Sequence, residues 1–276
     1  MISVIIPLYN KEKIINKTLQ SVLFQDFNNF EIVIVDDGST DDSIKVVNSI
    51  CDDRIHLIRQ KNGGPGKARN TGVAYAKGEW ILFLDADDEL ADGALNNLNK
   101  LAEANAYANI IDGSFCVRTT TSNKETIYSE GLFINNNYKS FFFRETLPST
   151  GHTLFKADLI RKYPYKENIR RYEDVEMIMR ILRDAKIVTT SKITFYVNSD
   201  FSSASTARKT IKEDFLGHLD FKNKSFWEKM SLYQFYLWER NHYPKEVNKL
   251  YPTLRWRYDL LLLNKILHLL KNHHVL

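Results

Sequence analysis

Gly78-Glu79-Trp80-Ile81-Leu82-Phe83-Leu84-Asp85-Ala86-Asp87-Asp88-Glu89 runs from an uninterrupted apolar segment straight into an acidic cluster. The apolar residues Trp80 to Leu84 have the pattern of a strand buried on both faces, as strands of parallel sheets are. Carboxylates packed this closely at the end of a buried strand repel one another in a partly desolvated cleft, so a cation is their natural occupant. A turn at Ala86 lets Asp85 and Asp87 converge. With only oxygen ligands on offer the ion is expected to be hard, Mg²⁺ or Mn²⁺, completing its shell with substrate phosphates. Taken alone, the same residues also suit a solvated turn with a helix cap at Asp88 or Asp92.

Upstream of this stretch, strands and helices alternate. Ser3 to Ile6 reads as a first strand, and Ile14, Ile15, Leu19, Val22 and Leu23 form a helical stripe. Glu31 to Val35 is a second buried strand, ending in Asp36-Asp37-Gly38-Ser39-Thr40, a turn able to cap the next helix. Ile55 to Ile58 is a third, followed by the breaker-rich Asn62-Gly63-Gly64-Pro65-Gly66 and a helix from about Lys67 to Ala76. Such alternation predicts an α/β fold, a mostly parallel sheet with helices on both faces. Ligands of open parallel sheets bind outside the carboxyl ends of the strands. Three polar turns, after Ile6, Val35 and Leu84, are therefore expected on one rim, which strengthens the metal-site reading.

Downstream the pattern loosens. Ile110 to Val117 and Glu125 to Phe133 read as antiparallel additions to the sheet, and helices are expected at 92–103, 137–144 and 157–162. A further helix opens at Glu173-Asp174, and 186–190 and 193–197 read as closing strands. Beyond Arg208 the composition turns helical, aromatic and basic, giving two regions, 1–208 and a helical extension, 209–276. Residues 240–276 hold seven of the Lys and Arg against two acids, a local +5, while the formal net charge of the whole chain is +4. The body is thus near neutral, and no nucleic-acid partner is expected. Cys51 and Cys116 lie far apart and outside any metal spacing, which fits a reducing cytoplasm. The N-terminus reads as a strand and not a signal peptide, and no apolar run is long enough to span a membrane. The segment 254–271 is apolar around most of a helix with basic flanks. It suits an interfacial helix on the inner face of an anionic membrane, or equally a helix packed on the catalytic domain or on a second copy in a homodimer.

Individual motifs carry more than one meaning. Asp37 and Tyr9 at adjacent strand ends suit a pyrimidine nucleotide, by hydrogen bonding and stacking, although Asp-Asp-Gly-Ser is also good turn chemistry. Residues 62–70 could form a phosphate nest with Lys67 and Arg69 as charge partners, Arg69 being the better phosphate candidate. Neither a Walker A loop nor a dinucleotide fingerprint is present. Glu173-Asp174 offers a general base, or simply acids favoured by a helix N-terminus. His152 in its turn is expected to do neither.

Together, Ser3-Val4-Ile5-Ile6-Pro7-Leu8-Tyr9-Asn10, the turn Val35 to Asp41, Ala68-Arg69-Asn70, the stretch 78–88 and Tyr172-Glu173-Asp174 resemble the inverting family 2 glycosyltransferases of GT-A fold. The resemblance covers about residues 1–205. It implies that Pro7, Tyr9 and Asp37 hold uracil and ribose with Glu12 nearby, that Asp85 touches ribose or sugar, and that Asp87 ligates Mn²⁺ or Mg²⁺ on the diphosphate. Asp174 would then be the catalytic base. The expected reaction moves one sugar from a UDP-sugar to a saccharide or lipid-linked acceptor with inversion, in surface polysaccharide or glycolipid assembly. The Gln-x-x-Arg-Trp element of processive members is absent, so single transfer is expected over polymerisation. Two rival readings remain. One is an aspartyl-nucleophile phosphohydrolase, whose Asp-x-Asp motif belongs on the first strand; the other is a non-catalytic carbohydrate-binding protein.

Overall fold

The computed structural model describes residues 1–131, 136–199, 210–252 and 254. Its first half alternates as expected: β1 (Ile2–Leu8), α1 (Ile15–Leu23), β2 (Phe30–Asp36), α2 (Ser43–Asn48), β3 (Ile55–Arg59), α3 (Pro65–Tyr75) and β4 (Trp80–Phe83). The short β5 (Glu89–Leu90) follows the acidic turn, then α4 (Ala94–Ala104), β6 (Ile110–Arg118), β7 (Asn123–Thr126) and α5 (Asn137–Phe143). After these come β8 (Thr153–Lys156), α6 (Ala157–Lys162), α7 (Glu173–Ile181), β9 (Ile187–Asn198), α8 (Phe226–Glu239) and α9 (Pro244–Leu250).

Among the described residues the strands form one sheet, ordered β3-β2-β1-β4-β8-β6-β9-β5 with β7 hydrogen-bonded to β6. The pairs β1/β2, β1/β4, β2/β3 and β6/β9 are parallel, and those made by β5, β7 and β8 are antiparallel. Both faces are covered, and side-chain alternation assigns each residue to one of them. Ile5, Val33, Ile81 and Phe83 pack beneath α3, α6, α7 and α8. Val4, Ile6, Ile32, Ile34, Leu82 and Leu84 pack against α1 and α4. α3 lies so close to β1 that a Cβ on Gly72 would come within 2.3 Å of the Ile5 side chain, so only glycine permits this approach.

Three expectations change. Glu125 to Phe133 is not one strand: pairing with β6 stops at Thr126, and 132–135 lie outside the described residues. The two closing strands are one, β9, whose register against β6 shifts around Ser114. The Thr-Leu-Phe-Lys strand β8, unexpected from sequence, slips antiparallel between β4 and β6. Four residues are too few for a period to show. The described part of 209–276 shares the main core, since Leu232, Tyr233, Phe235, Tyr236 and Val247 pack in the same cluster as Ile5 and Phe83. No helix among the described residues is long and apolar enough to cross a membrane. Apart from Leu254, which is buried, the tail segment 254–271 lies outside the described residues.

Candidate active site at the sheet rim

The turn after β1 is laced to the turn after β2. Asn10, held at a left-handed φ of 51°, accepts from Thr40 N at 2.8 Å, and Asn10 N and Lys11 N donate to Ser39 Oγ and Ser43 Oγ. This fixes the chain so that Lys11 points across the rim, where its Nζ reaches Asp87 Oδ2 at 2.6 Å. Pro7 lies inside β1, one residue before its end, and Tyr9 stands 47% exposed just beyond it, open to a flat ligand. Glu12 is turned toward the start of α2, where its Oε2 accepts from Asp42 N at 3.0 Å.

Asp37 is buried and bonded to the loop that opens α3. Its Oδ1 accepts from Gly63 N (2.9 Å) and Gln60 Nε2 (2.7 Å), and its Oδ2 accepts from Gly64 N (2.8 Å). The expected phosphate nest is therefore occupied by the protein's own carboxylate, and Gly64 adopts φ 90° to present its amide.

The acidic turn differs from the sequence expectation in one respect. Its carboxylates do not share a single point; each is drawn to its own partner. Asp85 Oδ1 accepts from Arg69 NH2 at 2.7 Å, Asp87 from Lys11, and Asp88 Oδ1 from Asn198 N at 2.9 Å. Burial pushes Asp87 upward against the pull of Lys11, and burial with the neighbouring Asp85 pushes Asp88 up to about 8. Asp88 is thus protonated in the fold where an unfolded chain would have released its proton. Between about pH 4 and 8 the folded state binds the extra proton, so stability falls as pH rises through that window. Asp88→Asn is expected to raise Tm at pH 8 in chelator and to flatten that slope, measured by thermal unfolding from pH 5 to 9.

Arg69, expected to meet phosphate, is buried instead between two carboxylates, with NH2 on Asp85 and NH1 on Glu173 Oε1 at 2.8 Å. Burial alone would lower its pKa. The carboxylates of Asp85 and Glu173 outweigh burial and hold the guanidinium charged. The bridge ties the rim turn after β4 to the first turn of α7. There Tyr172 takes a left-handed φ of 59° and lets the helix begin with Glu173 and Asp174 at its positive end. Glu173 is buried and Asp174 half-buried, and Asp174 Oδ1 accepts from Val175 N at 2.8 Å. Burial raises both carboxylates above their ordinary range, opposed by Arg69. A half-exposed carboxylate with a raised pKa on a rigid helix start is equipped to take a proton near neutral pH.

His152 is a structural residue. It is buried, stacked on Phe115 with centroids 4.5 Å apart, and held between Asp112 (3.1 Å) and Ser149 (2.9 Å). The loop 149–152 lies on the same rim, since Gly151 N donates to Phe83 O at 2.7 Å. Sequence reasoning missed Lys11 and Tyr165; a lysine straight after the β1 turn was the available signal for the first. Arg208 and Lys209, in the basic stretch that follows β9, both lie outside the described residues, as do all of 200–209.

Among solved structures, S. aureus TarS 1-349 in complex with UDP-GlcNAc superposes with a TM-score of 0.72 at 21% identity, over 96% of this chain and 79% of that one. The GT-A arrangement of sheet and helices is therefore shared. In sequence, an uncharacterized glycosyltransferase of Rickettsia felis is 36% identical over 183 residues, 63% of this chain and 29% of that protein. The GalNAc(5)-diNAcBac-PP-undecaprenol beta-1,3-glucosyltransferase of Campylobacter jejuni is 32% identical over 171 residues, 60% of this chain and 55% of that protein. These matches span between about a quarter and three fifths of the relatives' lengths. The model of glycosyl transferase family 2 matches residues 3–168, from β1 through β8 and α6 to the loop before α7, and the chain belongs to that family.

Proposed function

We propose that the protein transfers a single sugar from a UDP-sugar to a hydroxyl of a saccharide or lipid-linked acceptor, with inversion and with Mn²⁺ or Mg²⁺ at Asp87. The observation that carries this reading is the rim itself, where the exposed Tyr9, an acidic turn and a helix-borne carboxylate meet on one edge of the sheet. TarS was solved with UDP-GlcNAc and with UDP, and the C. jejuni relative is named for a lipid-linked glycan. The first supports a UDP-sugar donor and the second a lipid-linked acceptor.

The donor set suits a hard divalent ion. Among the described residues no group of three His, Cys, Asp or Glu could hold a metal unaided, so a cation at Asp87 would draw most of its shell from phosphate and water, as Mg²⁺ usually does. Bound there, it supplies charge to offset what develops on the departing diphosphate. Lys11 already brings one positive charge to Asp87, and that charge would favour a phosphate bound there. Asp37 holds the 60–64 loop beneath the base site, and Tyr9 offers its ring for stacking. Arg69 fixes Asp85 against α7, which sets the distance between the donor side and Asp174. Asp174 takes the acceptor proton as the acceptor oxygen attacks the anomeric carbon from the face opposite the diphosphate, and this single displacement inverts the centre. The phosphohydrolase reading asks Asp85 to be a nucleophile, yet its Oδ1 is tied to Arg69. The glycosyltransferase reading puts the enzyme in the cytoplasm, with the basic tail as the segment to meet a membrane or a second copy.

Calorimetric titration of UDP tests it. Binding is expected with Mn²⁺, to weaken at least about tenfold in excess chelator, and to weaken equally in Asp87→Ala, one lost metal contact being worth at least this much. UDP binding that ignores both metal and Asp87 would remove the cation from the proposal, and no UDP binding at all would remove the donor.

A further inference from the structure

Tyr165, in the loop between α6 and α7, has no place in the mechanism above. It is 3% exposed. Asn70 clamps its backbone onto α3, accepting from Tyr165 N and donating to Tyr165 O, each at 2.9 Å. Its ring meets Phe83 edge-on at 5.5 Å between centroids and lies 5.4 Å from the Arg69 guanidinium carbon. The residue is therefore held by its backbone and by two contacts to its ring.

Its hydroxyl is not. Among the described residues, the Tyr165 hydroxyl has no hydrogen-bond partner, although buried polar groups nearly always find one. A phenylalanine would fill the same space without leaving a buried donor unpaired, so packing alone does not account for the oxygen. The charged groups that bear on it are Arg69 from α3, Asp174 and Glu173 from α7, and Asp85 from the rim turn. Burial and the carboxylates keep the phenol proton in place, so the group acts as a donor. Asp85 and Glu173 are already bonded to Arg69, and of the three carboxylates Asp174 bears on the phenol most strongly.

Resting on the reading of Asp174 as the base, we infer that Tyr165 is a positioning residue whose hydroxyl donates to the Asp174 carboxylate in the working enzyme, keeping it ionised and aimed at the acceptor. Tyr165 keeps its own proton throughout. The proton taken by Asp174 comes from the acceptor oxygen.

A donor to the ionised form lowers a carboxylate's pKa, so its loss raises it. Tyr165→Phe in the full chain is expected to move the Asp174 titration midpoint up by about one pH unit, the size of one hydrogen bond to a charged group. Carbon-detected NMR of ¹³C-labelled aspartate reads this, with the Asp174 signal assigned by its loss in Asp174→Asn, in protein alone and saturated with UDP and Mn²⁺. Tm should stay level or rise. UDP release from UDP-N-acetylglucosamine with water as acceptor should slow on the acid limb of its pH profile, by up to about tenfold well below the midpoint, in step with the smaller ionised fraction. An unshifted midpoint in both states overturns the inference, as does a shift accompanied by a wild-type rate on that limb. Asp174→Asn in the same release assay separates the two ideas. A wild-type rate there removes Asp174 as base, while the NMR midpoint still reports whether Tyr165 touches it.

Discussion

Asp174→Asn is expected to lower kcat for sugar transfer by about 10²–10⁴-fold, the usual contribution of a general base, with the KM for donor nearly unchanged. Asparagine has the same shape and keeps an oxygen for the Val175 amide, and Glu173 continues to hold Arg69, so the rim stays assembled. What is lost is the ability to accept a proton. Stability should change little, because one acid fewer at the start of α7 costs only about 0.3–1 kcal/mol of helix-dipole interaction. Steady-state rates beside a thermal melt make the test, and a folded variant with wild-type kcat would exclude Asp174 as the base. In the wild type the same group sets the acid limb. Its pKa is raised by burial, so activity disappears as pH falls through a value above the ordinary 3.8, while the fold still stands.

Arg69→Met is expected to act on stability, by about 3–5 kcal/mol, chiefly because it leaves Glu173 buried without its counter-charge, the part-exposed Asp85 adding less. For a chain of this length that corresponds to a Tm lower by roughly 6–10 °C. The loss should be greatest at high pH and shrink in acid, where the two carboxylates can take up protons and neutralise themselves. Arg69→Lys should recover only part of it, since one ammonium does not span both partners as a guanidinium fork does. Melts of the three proteins at pH 5 and pH 8 decide this. A methionine variant as stable as wild type at pH 8 would mean that the bridge contributes nothing to the fold.

The sheet was legible because β1, β2 and β4 are apolar on both faces, which leaves few alternatives, and because their polar turns all fall on the carboxyl side. β8 was not legible: its strand character comes from the slot between β4 and β6, not from its own four residues. The site shows the same division. Asp37, Asp85, Asp87 and Asp174 could be named from their positions at strand and helix ends. Their partners could not, since Lys11 to Asp87 and Arg69 to Glu173 are contacts between residues 76 and 104 positions apart, and no local spacing encodes them. Arg69 was assigned to phosphate because a cation at a helix start faces anions. The anions it faces turned out to belong to the chain.

That separation has a consequence for how the protein is made. Ribosomes add roughly 5–20 residues per second, so Glu173 and Asp174 are synthesised on the order of 5–20 s after Arg69. Throughout that interval the nascent chain can pair β1, β2, β3 and β4 and form its donor-side turns. Yet Arg69 has only Asp85 to answer it, and the position of Asp174 is still unfilled. The docking of α7 completes the charge balance and delivers Asp174, the proposed base, in one event. Under the proposed mechanism, competence for transfer therefore arrives late and all at once, and a chain released before residue 174 would keep the turns after β1, β2 and β4 while lacking the proposed base.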